Sequence, residues 1–91
     1  MYQKIYIDLI VKFLSSGGIR PVEILWQDGQ RIQIDKVKFI EKAPSNTSGM
    51  LLRRFTVIIG GIEKYLYFDK FNERWFVEKK IDENYTSQRF E

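Results

Sequence analysis

The sequence predicts an all-β fold of about six antiparallel strands, mostly a meander, that close into a small SH3-like or partly open barrel. Three observations predict it. Apolar residues alternate along several segments. Glycine-containing turns, at Asp28-Gly29 and Gly60-Gly61, separate these segments as hairpin turns do. The alternation shifts near Asp35-Lys36, which indicates the bend that a small barrel needs to turn a corner.

The first predicted strand carries apolar side chains at successive odd positions. An unbroken period of two and a high β-branched content favour a strand. A helix is the alternative, since Ile5, Leu9 and Phe13 also lie four residues apart and Gly17-Gly18 could cap it. An α+β fold with an N-terminal helix is therefore the second prediction. The odd-position residues are Ile5, Ile7, Leu9, Val11 and Phe13.

The next hairpin decides where Trp26 points. A two-residue turn at Asp28-Gly29 would scatter the apolar residues over both faces. A three-residue loop, Gln27 to Gly29 with a bulge at the glycine, gathers them on one face, so burial favours this register. Trp26 is then predicted to close the core under the turn; the alternative is an exposed binding residue. Pro21 indicates that this strand begins at a sheet edge. The shared face would be Val22, Ile24, Trp26, Ile32 and Ile34.

The second half of the chain predicts three more strands. Val37 and Phe39 continue the odd series, and the segment from Lys42 to Gly49 is a loop. Gly60-Gly61 then forms a turn that places Phe55 opposite Leu66 on the core face and Arg54 beside Tyr67 on the outward face. A four-residue loop, Lys70 to Glu73, would pair Phe68 with Trp75, pointing Phe76 outward beside Tyr67.

Length and composition bound the domain organisation. The 91 residues predict a single small β domain over residues 1–80, followed by a polar C-terminal tail over 81–91. No apolar run is long enough for a membrane span, and Asp8 and Lys12 interrupt the apolar start in a way that signal peptides do not. We therefore expect a cytoplasmic protein without a membrane partner.

The residue types present exclude much chemistry. Without cysteine or histidine, the chain has no disulfide, thiolate or histidine acid–base chemistry. The carboxylates show no spacing that would hold two together, the serines lack an activating base, and the paired glycines match no phosphate-binding motif. We expect a protein that is not an enzyme, with no catalytic residue, cofactor or metal site.

One set of side chains is a candidate binding face. Rings interleaved with arginine on an open sheet suit single-stranded nucleic acid, whose bases stack on the rings while cations hold the phosphates. Two other interpretations remain open: ordinary cross-strand packing at the surface, and burial under the C-terminal tail or in a dimer. The candidate residues are Arg54, Tyr65, Tyr67 and Phe76.

Several motifs together resemble a group of short bacterial proteins with no known activity. The shared pattern is an Arg-Pro pair, Trp-x-Asp-Gly, Ile-Asp-x-Val, an Arg-aromatic strand and a closing Trp-Phe-Val-Glu, across roughly residues 3–79. The resemblance implies a shared fold in bacteria and implies no catalytic residue or cofactor. In this chain the pattern comprises Arg20-Pro21, Trp26, Asp28-Gly29, Ile34-Asp35, Val37, Arg54-Phe55 and Trp75 to Glu78.

The functional expectation is accordingly modest. A non-catalytic protein-interaction or self-associating β module fits best, which predicts a homodimer or a protein partner. The alternative is a single-stranded nucleic-acid-binding domain that uses the candidate face; the net charge of +3 is too small to decide for it.

Overall fold

The computed structural model describes residues 1–81, which form seven antiparallel strands and no helix. The predicted all-β class is confirmed, and the alternative with an N-terminal helix is wrong, because the first segment is extended throughout. Of the predicted tail only Ile81 lies in the described part, so the prediction for 82–91 falls outside the described residues. The strands are β1 (Tyr2–Phe13), β2 (Ile19–Leu25), β3 (Arg31–Gln33), β4 (Lys36–Pro44), β5 (Leu51–Ile59), β6 (Ile62–Asp69) and β7 (Arg74–Lys80).

The strand order in the sheet is β3-β2-β1-β7-β6-β5-β4. Every neighbouring pair is consecutive in the chain except β1 and β7. The order is thus a meander that runs in a circle and is cut between β3 and β4. The sheet curls into a half-barrel, the partly open form of the predicted barrel.

The chain crosses this cut within one peptide unit. The N–H of Ile34 donates to the carbonyl of Val22 in β2, at 2.9 Å, and the N–H of Asp35 donates to Ile58 in β5, also at 2.9 Å. The Asp35 carboxylate accepts a further bond from the N–H of Gly60 at 2.8 Å. Two adjacent residues therefore hold opposite edges of the curled sheet together.

Strand β1 belongs to both halves of the sheet. Its first half, Tyr2 to Ile7, pairs with β7, and its second half, Asp8 to Phe13, pairs with β2. A bulge in the β2 partner, between the pairs of Ile10 and Val11, adds local twist. Within residues 1–81, each half of β1 consequently pairs with a strand on one side only.

The core lies on the inner face of the curl. Trp26 and Trp75 are both buried, as predicted, and Phe55 packs against Trp75 with ring centroids 4.9 Å apart. Burial of apolar area at about 25 cal/mol per Å² makes this face the main source of stability. The buried cluster contains Ile5, Ile7, Ile24, Trp26, Ile34, Phe55, Val57, Leu66, Trp75 and Val77.

The predicted register of the first hairpin is confirmed. Ile24 pairs with Ile32, and the N–H of Trp26 donates to the carbonyl of Gln30 at 2.8 Å, which closes the three-residue loop. Gly29 adopts a φ of +87°, a left-handed conformation that favours glycine. Pro21 precedes the part of β2 that pairs with β3, so β2 begins with one free side, as predicted.

The predicted registers of the later strands are also confirmed. Arg54 pairs with Tyr67 and Phe55 with Leu66 across the Gly60-Gly61 turn, and Phe68 pairs with Trp75.

Ile62, predicted for the core face of the Gly60-Gly61 hairpin, is exposed at the turn, and so are two residues of the odd-position series. Phe13 is 79% exposed, because the β1–β2 hairpin extends beyond the part of β1 that pairs with β7. Phe39 is 56% exposed, because a bulge at Lys38 moves it to the outer face, where it pairs with Thr56. The shift in apolar alternation near Asp35-Lys36 therefore corresponds to two structural features, the crossing at Ile34-Asp35 and the bulge at Lys38.

Candidate functional site

The four residues of the candidate face lie together on the outer, convex side of the sheet. Arg54 of β5 pairs with Tyr67 of β6, which pairs with Phe76 of β7, and Phe76 pairs in turn with Tyr6 of β1. Tyr65 lies two residues along β6 on the same side. The sheet thus carries a continuous row of rings with an arginine at one end.

Two of these rings are not accessible. Tyr67 is 2% exposed and Phe76 1%, and their rings stack with centroids 5.2 Å apart at an angle of 10°. With Leu52 they form a second, smaller apolar cluster on the side of the sheet opposite the main core. The expected open stacking platform is therefore reduced to Tyr65, which is 49% exposed, with Arg54 beside it.

The loop between β4 and β5 reaches across this side of the sheet. Its backbone N–H groups at Asn46 and Thr47 donate to the carboxylate of Glu78 on β7, at 3.0 and 2.6 Å. The Asn46 side chain donates to the same carboxylate at 3.2 Å. Since β5 and β6 separate β4 from β7, the loop must cross two strands to make these bonds.

The loop is folded on itself as well as anchored. Ser45 is buried, its hydroxyl is bonded to that of Ser48, and the N–H of Ser48 donates back to the Ser45 oxygen. The sequence predicted a loop here but gave no sign of its anchor, because Glu78 lies 31 residues from Thr47 in the chain.

The pKa values of Glu78, which anchors the loop, and of Tyr67 on the same side of the sheet are shifted by their surroundings. Burial raises the pKa of Glu78, but the hydrogen bonds from Thr47 and Asn46 outweigh it and hold the pKa below its ordinary value. Burial raises the pKa of Tyr67, and its hydrogen bond with Arg54 only partly opposes that effect. The loop anchor is therefore a charged carboxylate at neutral pH.

Tyr65 and Tyr6, two exposed rings of the outer side, lie against cations, and Tyr6 has the Lys4 ammonium 5.7 Å from its centre as well as an arginine. The guanidinium of Arg54 lies 4.4 Å from the centre of Tyr65, and that of Arg74 lies 3.3 Å from the centre of Tyr6, which is 45% exposed. Arg54 also donates to Glu41 at 2.7 Å. A ring with one face occupied has only the other face for a ligand.

Tyr6 and Arg74 are residues of this surface that sequence reasoning missed. They are neighbours only because β1 pairs with β7, a pairing between chain segments about seventy residues apart. No local pattern signals such a pairing, since turn chemistry and alternation report on hairpins.

A second kind of surface is formed by open strand edges. The second half of β1 has β2 on one side and no strand on the other, and β4 has only β5 beside it within the described residues. Large apolar side chains are exposed on both strands: Ile10 and Phe13 on β1, and Phe39 and Ile40 on β4.

A surface cleft marks the point where β7 leaves β1. It has a volume of about 310 Å³ and is lined by Tyr6–Leu9 of β1 and by Glu73–Trp75 at the start of β7. The cleft therefore begins at the last paired residues, Ile7 and Trp75, and continues along the free side of β1.

Other site types and relatives give no further indication. Residues 1–81 contain no group of three acidic residues placed to hold a metal ion. In the same residues, no helix could cross a bilayer. No protein-family model, curated protein or solved structure matches the chain.

Proposed function

We propose that this protein is a small non-catalytic interaction module that binds protein chains, including its own, by adding a strand to an open edge of its sheet. One observation carries the proposal: β1 and β4 each present a free edge next to exposed apolar side chains. A free edge offers unpaired N–H and C=O groups to an extended partner, and neighbouring apolar side chains add burial to the backbone bonds.

The two edges are not equally protected. Native proteins discourage edge pairing with lysines, prolines and bulges. Strand β4 carries all three, in Lys38 with its bulge, Lys42 and Pro44. The second half of β1 has a regular backbone with Lys12 as its one basic residue, flanked by Ile10 and Phe13. We therefore regard β1 as the principal docking edge.

The molar mass in solution tests this function. Multi-angle light scattering should show a mass that rises with protein concentration, or a stable complex with a partner chain. Amide hydrogen exchange should then show protection at Leu9 and Val11 that is lost on dilution. A chain that stays monomeric and shows no partner-dependent protection at β1 or β4, in purified form or in extract of the source cells, would overturn the proposal.

A nucleic-acid function is the second candidate. It is supported by the half-exposed rings of Tyr65 and Tyr6, each with an arginine against it. Labelled single-stranded oligonucleotides should then bind at about 50 mM salt, more weakly as salt is raised, and Tyr65→Ala should reduce binding. No change in fluorescence anisotropy at that salt would eliminate this candidate.

We also propose a bacterial, cytoplasmic setting. The bacterial origin depends only on the sequence resemblance. The location is supported by residues 2–13, which form strand β1 of the fold although their apolar character resembles that of a signal peptide. Fractionation of the source cells, with the protein detected by antibody, tests the location: recovery from the membrane or secreted fraction would contradict it.

A further inference from the structure

The free side of β1 has a defined set of backbone groups. At the hairpin end the N–H of Leu14 donates to the carbonyl of Gly18, so even-numbered residues of this half direct their backbone groups towards β2. The odd-numbered residues Leu9, Val11 and Phe13 therefore direct theirs to the open side. The even-numbered side chains Asp8, Ile10 and Lys12 share one face of the strand, and all three are exposed.

The sequence of this edge is complementary to itself. Asp8 and Lys12 lie two residues on either side of Ile10, so an antiparallel copy centred on Ile10 places each Asp8 opposite the other chain's Lys12. We propose that two copies of this chain associate through the second half of β1, antiparallel about a two-fold axis at Ile10. This inference rests on the proposed function, and it names the partner and the register.

The backbone agrees with this register. Leu9 of one copy lies opposite Val11 of the other, and both have their N–H and C=O groups on the open side, so they form a hydrogen-bonded pair. Ile10 then faces Ile10, and Asp8 faces Lys12, in the closer, non-hydrogen-bonded positions where side chains interact best. Among residues 1–81, neither Asp8 nor Lys12 forms an ion pair, so both charges are available.

Neighbouring registers are worse. Centring on Val11 would place Lys12 opposite Ile10 and leave Asp8 facing the turn at Leu14. Centring on Leu9 would place Lys12 opposite Tyr6, a position that Phe76 of β7 already occupies. A shift of one residue would bring inner and outer faces together. The register centred on Ile10 is therefore the one that pairs both charges within Asp8 to Lys12, the stretch of β1 that follows its last pair with β7 at Ile7.

The cleft and the exposed Phe13 lie at the end of this added ladder. Ile7 is already paired with Trp75 of β7, so the backbone pairing of the two copies ends at Asp8 and Lys12. Phe13 of the second copy, which is exposed in the single chain, would then lie against the mouth of the cleft of about 310 Å³ that Ile7 and Trp75 help to line. Its burial would add apolar contact to the two ion pairs and the backbone bonds.

Strand β4 also has an exposed isoleucine, Ile40, with a charged residue two positions away on each side, but both of these charges are positive. An antiparallel β4 pair centred on Ile40 would bring Lys42 near Lys38, the bulged residue, so like charges would meet and the bulge would interrupt the added ladder. The molecule therefore contains its own control edge, with an exposed isoleucine between two charges, that should not self-associate.

Charge reversal tests the pairing. Asp8→Lys and Lys12→Asp should each weaken dimerisation about tenfold or more, as measured by analytical ultracentrifugation, because opposed charges become like. An equimolar mixture of the two variants should form a heterodimer with the affinity of the original, because each reversed charge again meets its opposite. Circular dichroism and thermal unfolding verify that each variant is folded.

A cysteine at the axis tests the geometry. The chain lacks cysteine, and non-hydrogen-bonded partners lie about 4.5 Å apart between Cα atoms, within reach of a disulfide. Ile10→Cys should therefore crosslink two copies under mild oxidation, whereas the matched control Ile40→Cys should not.

The outcomes separate the two claims. If the native chain self-associates but neither reversal changes its affinity, or if Ile40→Cys crosslinks instead of Ile10→Cys, the β1 pairing is wrong and the interaction function stands. If the native chain neither self-associates nor binds another chain at either edge, both are wrong.

Discussion

Glu78 is the residue on which the outer side of the sheet depends. Its carboxylate is the shared acceptor for two backbone N–H groups and one side chain of the β4–β5 loop. On the same side of the sheet lie the buried rings of Tyr67 and Phe76, which alternation alone would have placed at the surface. The loop anchor therefore bears directly on whether this side can bind a ligand through its rings.

Replacing Glu78 with glutamine should cost about 1 kcal/mol of unfolding free energy at neutral pH, because Asn46 and Thr47 donate to different carboxylate oxygens and the amide replaces one of those oxygens with an NH2 donor. Urea denaturation measures the change. Glu63→Gln is the matched control, since Glu63 is exposed and its ion pair with Lys38 spans 3.7 Å. Its effect should be near zero. Equal effects from both substitutions would refute an anchoring role.

The same carboxylate predicts a pH dependence. Because the pKa of Glu78 is lowered in the folded chain, its contribution is complete above the ordinary glutamate pKa of about 4.3 and disappears as the pH falls through the lowered value. The stability difference between the original chain and Glu78→Gln should therefore shrink on acidification. A difference that stays constant from neutral pH to about pH 2 would contradict this assignment.

Trp26 lies on the inner side of the sheet. It is 4% exposed and belongs to the main core cluster. Trp26→Ala should destabilise the protein by about 3–5 kcal/mol, the range for removing a large buried ring, as measured by urea denaturation. Phe71→Ala, at a ring that is 88% exposed, is the control and should change stability by less than about 0.5 kcal/mol. A small loss at Trp26 would mean that the ring is not part of the core.

At the scale of elements, the bulge in β4 explains why Phe39 faces outward. Val37 pairs with Val57 and Phe39 with Thr56, so Lys38 is an extra residue between them. Removing Lys38 would leave every other side chain of β4 on its present face. Removing Ile40 would reverse the facing of the residues after it and separate Glu41 from Arg54.

Deletion of Lys38 should therefore change the unfolding free energy by no more than about 1 kcal/mol, whereas deletion of Ile40 should lower it by at least about 2 kcal/mol. Urea denaturation gives both values, and NMR spectra of the backbone amides show whether the chemical shifts of β5 are unchanged. If the Lys38 deletion were the more damaging of the two, the bulge would be required for the bend rather than tolerated within it.

The elements differ in how far the sequence could predict them. The hairpins at Gly29 and Gly60-Gly61 were predictable in register, because turn chemistry and burial of alternate residues act over short distances. The bulge at Lys38 and the exposure of Phe13 were not, since one extra residue or the end of a neighbouring strand leaves no mark in the alternation. The candidate face was predictable as a row of residues, but the burial of Tyr67 and Phe76 was not, because Lys4 and Tyr6 reach Phe76 only through the long-range pairing of β1 with β7.

For the whole molecule, Asp35 matters more than its exposed position suggests. Its N–H and its carboxylate both bond to the β5–β6 hairpin, while Ile34 beside it bonds to β2. Asp35→Ala should cost about 1 kcal/mol through loss of the bond to Gly60, and Asp35→Pro about 2 kcal/mol or more because the N–H is lost as well. Urea denaturation of both variants checks the order, and equal losses would show that the N–H bond contributes little.

The peptide unit at Ile34-Asp35 also sets how the wall of the half-barrel can move. Its two backbone bonds connect β2 on one border with β5 on the other, so movement of one border relative to the other is smallest at this peptide unit. β3 and β4 lead away from it in opposite directions along the chain, so any widening of the half-barrel grows with distance from Asp35.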